Sequence, residues 1–310
     1  MKRMKKIIIT GATSMIGVAT IKATIANDVE VYAIVRNDTK RISRLPQSKN
    51  IHVVYGTLET LAHIQGLPDK ADVFYHFAWA GTNKADRDNP YIQEKNIQYT
   101  LDAVELAHKM NCNRFIYAGS QAEYGPVDGL IDDDTKFAPL LSYGIAKYAA
   151  GILGRKLCSE KGMKHVWGRI FSVYGPHDNE GTMLDYALKC WQSGNAAKFS
   201  SATQSWNYLY WDDAGEMFYR LGQENIPSGT YLIANDESKI LREYIEIMMK
   251  VYGEKAKAEF SPIGEDKPFG LRVNPTKTLE TINYKPTVSF EEGIRRMIKR
   301  RESSNMDICR

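Results

Sequence analysis

Tyr143 and Lys147 stand four residues apart in Tyr143-Gly144-Ile145-Ala146-Lys147. On a helix that spacing puts a phenol and an ammonium on one face. A tyrosine titrates near pH 10 and is a poor acid or base at neutral pH. A cation beside it stabilises the phenolate, and the pair can then pass a proton to or from an oxygen. The same spacing is common on surface helices, so its place in the chain decides. Ser120 follows the apolar run at 114–118 and Gly119, which puts its hydroxyl at the carboxyl end of a strand, where open α/β sheets bind ligands. From there it would hydrogen-bond the oxygen to which Tyr143 transfers a proton.

A second constellation is Thr10-Gly11-Ala12-Thr13-Ser14-Met15-Ile16-Gly17. Gly11 would make a sharp turn, and Gly17 would let a helix close on the strand before it. Thr13, Ser14, Met15 and Ile16 would bring the free N–H groups and positive end of that helix to a pyrophosphate. A glycine pattern alone is weak, but a strand before it and a helix after it are the context it requires. Arg36 ends the next apolar run, 25 positions after Gly11. An acidic residue there would hold a ribose 2′-hydroxyl, whereas an arginine accommodates a 2′-phosphate. Lys40, Arg41 and Arg44 add positive field. NADP is the cofactor expected, with NAD as the alternative.

The elements that must position these residues alternate. Apolar runs at 6–10, 30–35, 51–55, 73–78, 114–118 and 165–171 read as buried parallel strands. Helical stretches at 15–26, 59–65, 90–110 and 142–161 lie between them, which implies right-handed βαβ units. The expected fold class is α/β, a Rossmann-type doubly wound parallel sheet with a smaller C-terminal substrate-binding lobe. Residues 1–171 would form the dinucleotide-binding domain, with segments near 207–235 returning to it. Residues 172–310 would be mainly the lobe, with helices at 182–192, 212–221, 239–252 and 290–299 and a proline-bearing, loop-rich segment at 260–286.

Composition narrows the classes. The 310 residues are 43% hydrophobic and 25% charged, ample for a core and against disorder. The net charge of +4 is mild, and the basic runs at 1–6 and 295–301 lack the interleaved aromatics of a nucleic-acid strip. Cys112, Cys158, Cys190 and Cys309 show no CxxC spacing, and the six histidines form no HxxxH pair, so reduced thiols and no metal site are expected. The apolar run at 7–9 is too short for a signal peptide, and no stretch spans a bilayer. Cytoplasmic residence without membrane or nucleic-acid partners is the expectation.

With these residues assembled, the chain resembles the extended short-chain dehydrogenase/reductase family, in its nucleotide-sugar epimerase/dehydratase/reductase branch. Thr10–Gly17 is similar to the family's T-G-x-x-G-x-x-G, with Ser14 in place of the middle glycine, where its hydroxyl could contact phosphate. Tyr143–Lys147 matches Y-x-x-x-K, and Ser120 falls at the catalytic Ser/Thr. His76-Phe77-Ala78-Trp79-Ala80 resembles the segment lining the cofactor, and Asn96 the helix asparagine. The resemblance implies cofactor contacts from Ala78, Trp79, Ala80, Asn96 and Leu58, while Thr57 stands where an aspartate often reads adenine. Arg169-Ile170-Phe171-Ser172-Val173-Tyr174-Gly175-Pro176 resembles R-x-x-N-V-Y-G-P, with Ser172 for asparagine. Tyr210-Trp211-Asp212-Asp213 resembles the return to the first domain.

Dehydratases of the family need an acid and a base next to the catalytic Ser/Thr. Gln121 and Ala122 occupy those places, and Glu123, one step on, would point to the opposite side of an extended chain. The resemblance therefore favours an NADP-dependent reductase of a nucleotide-linked 4-keto sugar, with a 4-epimerase that retains its cofactor as the alternative. A non-catalytic dinucleotide-binding module is disfavoured by the intact Ser120, Tyr143 and Lys147. Gln121, Met183, Lys189, Trp206 and Arg272 are the candidate substrate contacts, Arg272 for a diphosphate. A homodimer through the helices near 96–110 and 143–161 is implied.

Overall fold

Ile7, Ile8 and Ile9 are all fully buried, which a strand allows only when both faces of its sheet are covered. The computed structural model describes residues 4–178, 180–262 and 269–308. Asn179, Cys309, the first three residues of the basic run at 1–6 and part of the 260–286 segment lie outside the described residues. Strands β1 (Lys6–Thr10), β2 (Glu30–Val35), β3 (Ile51–Tyr55), β4 (Val73–His76), β5 (Arg114–Ser120), β6 (Lys164–Ile170) and β7 (Gly229–Ile233) form one sheet. Their order is β7-β6-β5-β4-β1-β2-β3, and every pairing is parallel. The fold is Rossmann-like α/β, as expected. The strand order reverses between β1 and β4, and at such a switch point the crevice outside the strands' carboxyl ends opens.

The helices are α1 (Met15–Ile25), α2 (Pro90–Lys109), α3 (Ser142–Glu160), α4 (Met183–Gln192), α5 (Trp211–Leu221), α6 (Leu241–Tyr252), α7 (Thr276–Thr281) and α8 (Phe290–Ile308). On one face of the sheet Ile7 and Ile9 pack with Ile21 of α1 and Ala214, Met217 and Phe218 of α5. On the other, Ile8, Phe74 and Phe115 pack with Ala103 and Val104 of α2 and Ala150 and Cys158 of α3. Each of the isoleucine, methionine and phenylalanine side chains contributes about 1.5–3 kcal/mol on full burial. Burial also pushes the Cys112 and Cys158 thiols up to about 12, so both stay protonated and inert.

A separate cluster unites α4, α6 and α8 around Tyr174, Trp191, Tyr208, Tyr244 and Phe290. Asp213 at the start of α5 ties the later chain to the sheet. Its carboxylate accepts the Tyr284 hydroxyl at 2.5 Å, the Thr287 N–H at 2.9 Å and the Val288 N–H at 3.1 Å.

The differences from the sequence reading have local causes. The helix expected at 59–65 is a short 3-10 segment, Leu58–His63, closed by a Thr57–Thr60 capping box and burying only Leu61. β4 stops at His76 because Phe77 and Ala78 bend around Thr10, whose carbonyl accepts the Phe77 N–H at 3.3 Å and whose Oγ1 accepts the Ala78 N–H at 3.2 Å. β5 runs on to Ser120, paired with Ile170. α6 begins at Leu241 because Lys239–Ile240 pairs antiparallel with Ser205–Trp206. Gly229–Ile233 had no strand assignment from the sequence, yet it closes one edge of the sheet.

Candidate active site

The turn after β1 is cast in glycine. Gly11 has φ +68°, and a Cβ there would lie 2.7 Å from Ala78 N, while one on Gly17 would drive into the Gly11 carbonyl. Ser14 caps α1, its Oγ accepting the Gly17 N–H at 3.0 Å. The hydroxyl is thus spent as an acceptor inside the helix and keeps only its proton to offer a phosphate. The other N–H groups of the first turn have no carbonyl within the helix to bond and define an anion cradle.

Ser14, Ile16, Trp79, Ser120, Gln121, Tyr143 and Lys147 line one cavity of about 530 Å³, closed on its far side by Met183, Leu184, Trp206 and Tyr208. α3 presents Tyr143 and Lys147 one turn apart. The Lys147 ammonium is buried, donates to Ala118 O at 2.8 Å and sits 3.8 Å from the centre of the Trp79 indole. Burial lowers its pKa, and Glu123 works against that. One of its three donors is used, which leaves two for a ribose.

The Tyr143 phenol departs from the sequence expectation. Burial raises its pKa, and the groups that draw it back are the Arg87 guanidinium and a hydrogen bond from Ser120. Lys147 Nζ lies 5.9 Å from the ring centre, whereas the Arg87 guanidinium lies at 4.4 Å. The cation closest to the phenol ring is therefore Arg87, from the loop between β4 and α2. Sequence reasoning missed it, since nothing in its neighbourhood marks it except a positive charge close to a segment that lines the site.

Ser120 is held from behind. It caps a 3-10 turn, Gln121–Glu123, and its Oγ accepts the Ala122 N–H at 3.2 Å. Glu123 Oε1 accepts the Ser120 N–H at 2.8 Å, and Arg169 Nε stands 2.5 Å from Oε2. Both partners are buried, at 0% and 3% exposure. Burial raises the Glu123 carboxyl and the guanidinium opposes it. Glu123 thus faces away from the cavity, as expected, but because the chain turns rather than because it is extended.

The remaining candidates divide. Gln121, Met183 and Trp206 line the cavity. Lys189 does not; it pairs with Asp185 at 3.0 Å beside a different cavity of about 320 Å³. Arg272 is exposed in a two-residue pairing with Leu130–Ile131, also off the site. Both were read from charge alone, and charge does not report which side of a lobe a residue faces. Asn96 accepts the Ala80 N–H at 2.7 Å and donates to Ala80 O at 3.1 Å and Ile92 O at 3.2 Å. It therefore shapes the Ala78–Ala80 segment rather than reaching a ligand. Leu58 packs against the α2–α3 core. Met15 leans on the cluster of the lobe. Arg36 is exposed at the end of β2, 3.5 Å from Asp38.

The NAD dependent epimerase/dehydratase family matches residues 7–234. The chain belongs to that family. Among its relatives, an uncharacterized UDP-glucose epimerase of Bacillus subtilis is 24% identical over 308 residues, 93% of this chain and 95% of that one. The UDP-glucuronic acid 4-epimerase of Bacillus cereus (a Tyr-to-Phe mutant with a fluorinated sugar nucleotide and NAD) superimposes with a TM-score of 0.82, at 21% identity and 96% and 99% coverage. The UDP-glucose 4-epimerase of Thermotoga maritima gives 0.84, at 20% identity and 97% and 99% coverage. These likenesses establish the fold. The glycine cradle, which any Cβ would fill, fits the family's dinucleotide. Among the described residues no group of His, Cys, Asp and Glu is arranged to hold a metal, and no helix is long and apolar enough to cross a membrane.

Proposed function

We propose that the protein is a nucleotide-sugar 4-epimerase that retains NAD or NADP. The observation that carries this reading is the meeting of Ser120, Tyr143 and Lys147 on one wall of a single cavity that reaches the Gly11–Gly17 turn. Tyr143 takes the proton of the sugar's C4 hydroxyl and later returns one to the same oxygen, while Ser120 hydrogen-bonds that oxygen in both steps. Lys147 offers its remaining donors to the dinucleotide ribose. The bound dinucleotide supplies the hydride acceptor and donor. Met183, Leu184, Trp206 and Tyr208 hold the sugar nucleotide.

The relatives named above are epimerases, two of them 4-epimerases, which moves this reading ahead of the reductase that sequence placed first. One observation keeps the reductase as a second reading: Arg36 stands where a 2′-phosphate would be met, and NADPH suits net reduction. Dehydration lacks its acid and base, since Gln121 cannot supply a proton and Glu123 is locked to Arg169. We further propose a two-lobed homodimer through α2 and α3, because Ile145, Ile152 and Leu153 of α3 are exposed apolar residues.

The test is stoichiometric. Purified protein is given UDP-sugars and, separately, nucleotide-linked 4-keto sugars, with nicotinamide absorbance and C4 configuration followed together. An epimerase interconverts C4 epimers with no net change in reduced nicotinamide; a reductase oxidises one NADPH per keto sugar. Neither event with any substrate would remove both readings.

A further inference from the structure

The loop at residues 81–89 reaches from β4 over the start of α3. Arg87 O accepts the Tyr143 N–H at 2.9 Å, and Asp88 Oδ1 accepts the Ser142 N–H at 3.0 Å. This docking brings the Arg87 side chain into the cavity with its guanidinium over the Tyr143 ring. Its Nε is buried without a hydrogen-bond partner. No carboxylate among the described residues forms an ion pair with it: Asp86 is bonded to Asn83 and Asp88 to Ser142. Lys147, the other cation lining the cavity, donates to Ala118 O and lies over the Trp79 indole, and its remaining donors are those offered to the dinucleotide ribose. A guanidinium offers five donors in a fork suited to a planar or tetrahedral oxyanion; Nε is occluded, so the terminal nitrogens are the donors that a ligand in the cavity would meet. The cavity therefore holds a charge whose partner the protein does not supply.

We propose that Arg87 is an anion subsite of the substrate cavity, binding an oxyanion that lies within one sugar ring of the carbon on which Tyr143 acts. The reach follows from geometry. The phenol must meet the reacting oxygen, and the guanidinium stacks 4.4 Å from that phenol's ring centre. Two sources carry the required chemistry, a carboxylate on the sugar itself or the phosphate on its anomeric carbon. Arg87 also makes the phenol a stronger acid. The other titratable or charged groups facing Tyr143 are Lys147 from its own helix, Glu123 from the turn after β5 and Tyr117 from β5. Of these, Glu123 opposes the effect, and the guanidinium is the positive charge nearest the phenol ring. The inference rests on the sugar-nucleotide reading for the identity of the ligand, but its first test needs no turnover.

Binding of UDP, UDP-glucose and UDP-glucuronate is measured by calorimetry for the wild type, Arg87→Gln, Arg87→Lys and the exposed-loop control Lys84→Gln, each checked for an unchanged Tm. Arg87→Gln is expected to weaken at least one ligand about tenfold or more, with Lys84→Gln unchanged. Equal loss for all three assigns the phosphate; loss for UDP-glucuronate alone assigns the carboxylate. In turnover, the alkaline-rising limb of kcat should move to higher pH in Arg87→Gln and return toward wild type in Arg87→Lys. Affinities for all three ligands within twofold of wild type, or a wild type that binds none of them, overturn the subsite. Weakened binding in a protein that turns over no sugar leaves the subsite standing and removes the 4-epimerase reading instead.

Discussion

The two walls of the cavity are built by different means. The sheet wall is made of residues fixed by backbone: Gly11 and Gly17 in a turn with no room for a Cβ, Ser120 pinned through Glu123, and Tyr143 and Lys147 one helical turn apart. The lobe wall is made of side chains resting on rings. Tyr208 packs edge-on to Tyr244 at 5.0 Å, and Tyr244 on Phe290 at 4.6 Å. Directional hydrogen bonds hold the first wall to a fraction of an ångström, as proton transfer requires. Ring packing tolerates small slides and suits a wall that selects by shape.

This contrast can be broken or sharpened by experiment. Tyr143→Phe should have the largest effect, lowering kcat by about 10²–10⁴-fold while dinucleotide affinity, read by fluorescence titration, stays within twofold. Glu123→Gln leaves Arg169 as a buried unpaired charge and should cost about 3–5 kcal/mol of stability, seen as a lowered urea midpoint. Unchanged stability would mean that the Glu123–Arg169 pair is not shielded from water. Trp206→Ala, on the other wall, should raise KM about tenfold, in line with the ~1–3 kcal/mol by which an apolar pocket contact discriminates, and leave kcat nearly intact. A kcat loss as large as that of Tyr143→Phe would erase the distinction between the walls.

The smallest effect concerns acid. His76 and His165 are buried among the rings of Phe115 and Tyr117, and burial lowers both to about 3. Their folded-state pKa lies below the unfolded value near 6.5, so the unfolded chain binds more protons in between. The stability they contribute is present above about pH 6.5 and falls as pH drops toward 3. His165→Phe should flatten the decline of the urea midpoint between pH 6.5 and 4; an unaltered slope would place the acid sensitivity elsewhere. The lobe cluster is rich in tyrosines whose pKa burial raises, Tyr174 and Tyr208 among them, and these contribute nothing to acid sensitivity.

Much of the sheet wall was legible because its chemistry is local. Tyr143 and Lys147 are a four-residue signal, and the Gly11–Gly17 turn is contiguous with the strand and helix that define it. The lobe side was legible only in part. Met183 and Trp206 do line the cavity, but Lys189 and Arg272 do not: Lys189 is drawn to Asp185 one turn earlier on α4, and Arg272 sits where Arg272–Val273 pairs with the distant Leu130–Ile131. β7 escaped notice because Gly229–Ile233 is short and begins with Gly and Thr, and its partner β6 lies some sixty residues earlier.

The amino-acid sequence by itself determined the parallel sheet, the glycine turn after β1 and the setting of Tyr143 and Lys147 on one helix face, since hydrophobic periodicity and steric demand act over a few neighbouring residues. Tertiary structure alone decided that Glu123 turns inward to Arg169, that Asn96 is consumed by Ala80, and that Arg87 lies on the Tyr143 phenol. These contacts join segments tens of residues apart, and their energies depend on burial and direction, which no local pattern encodes.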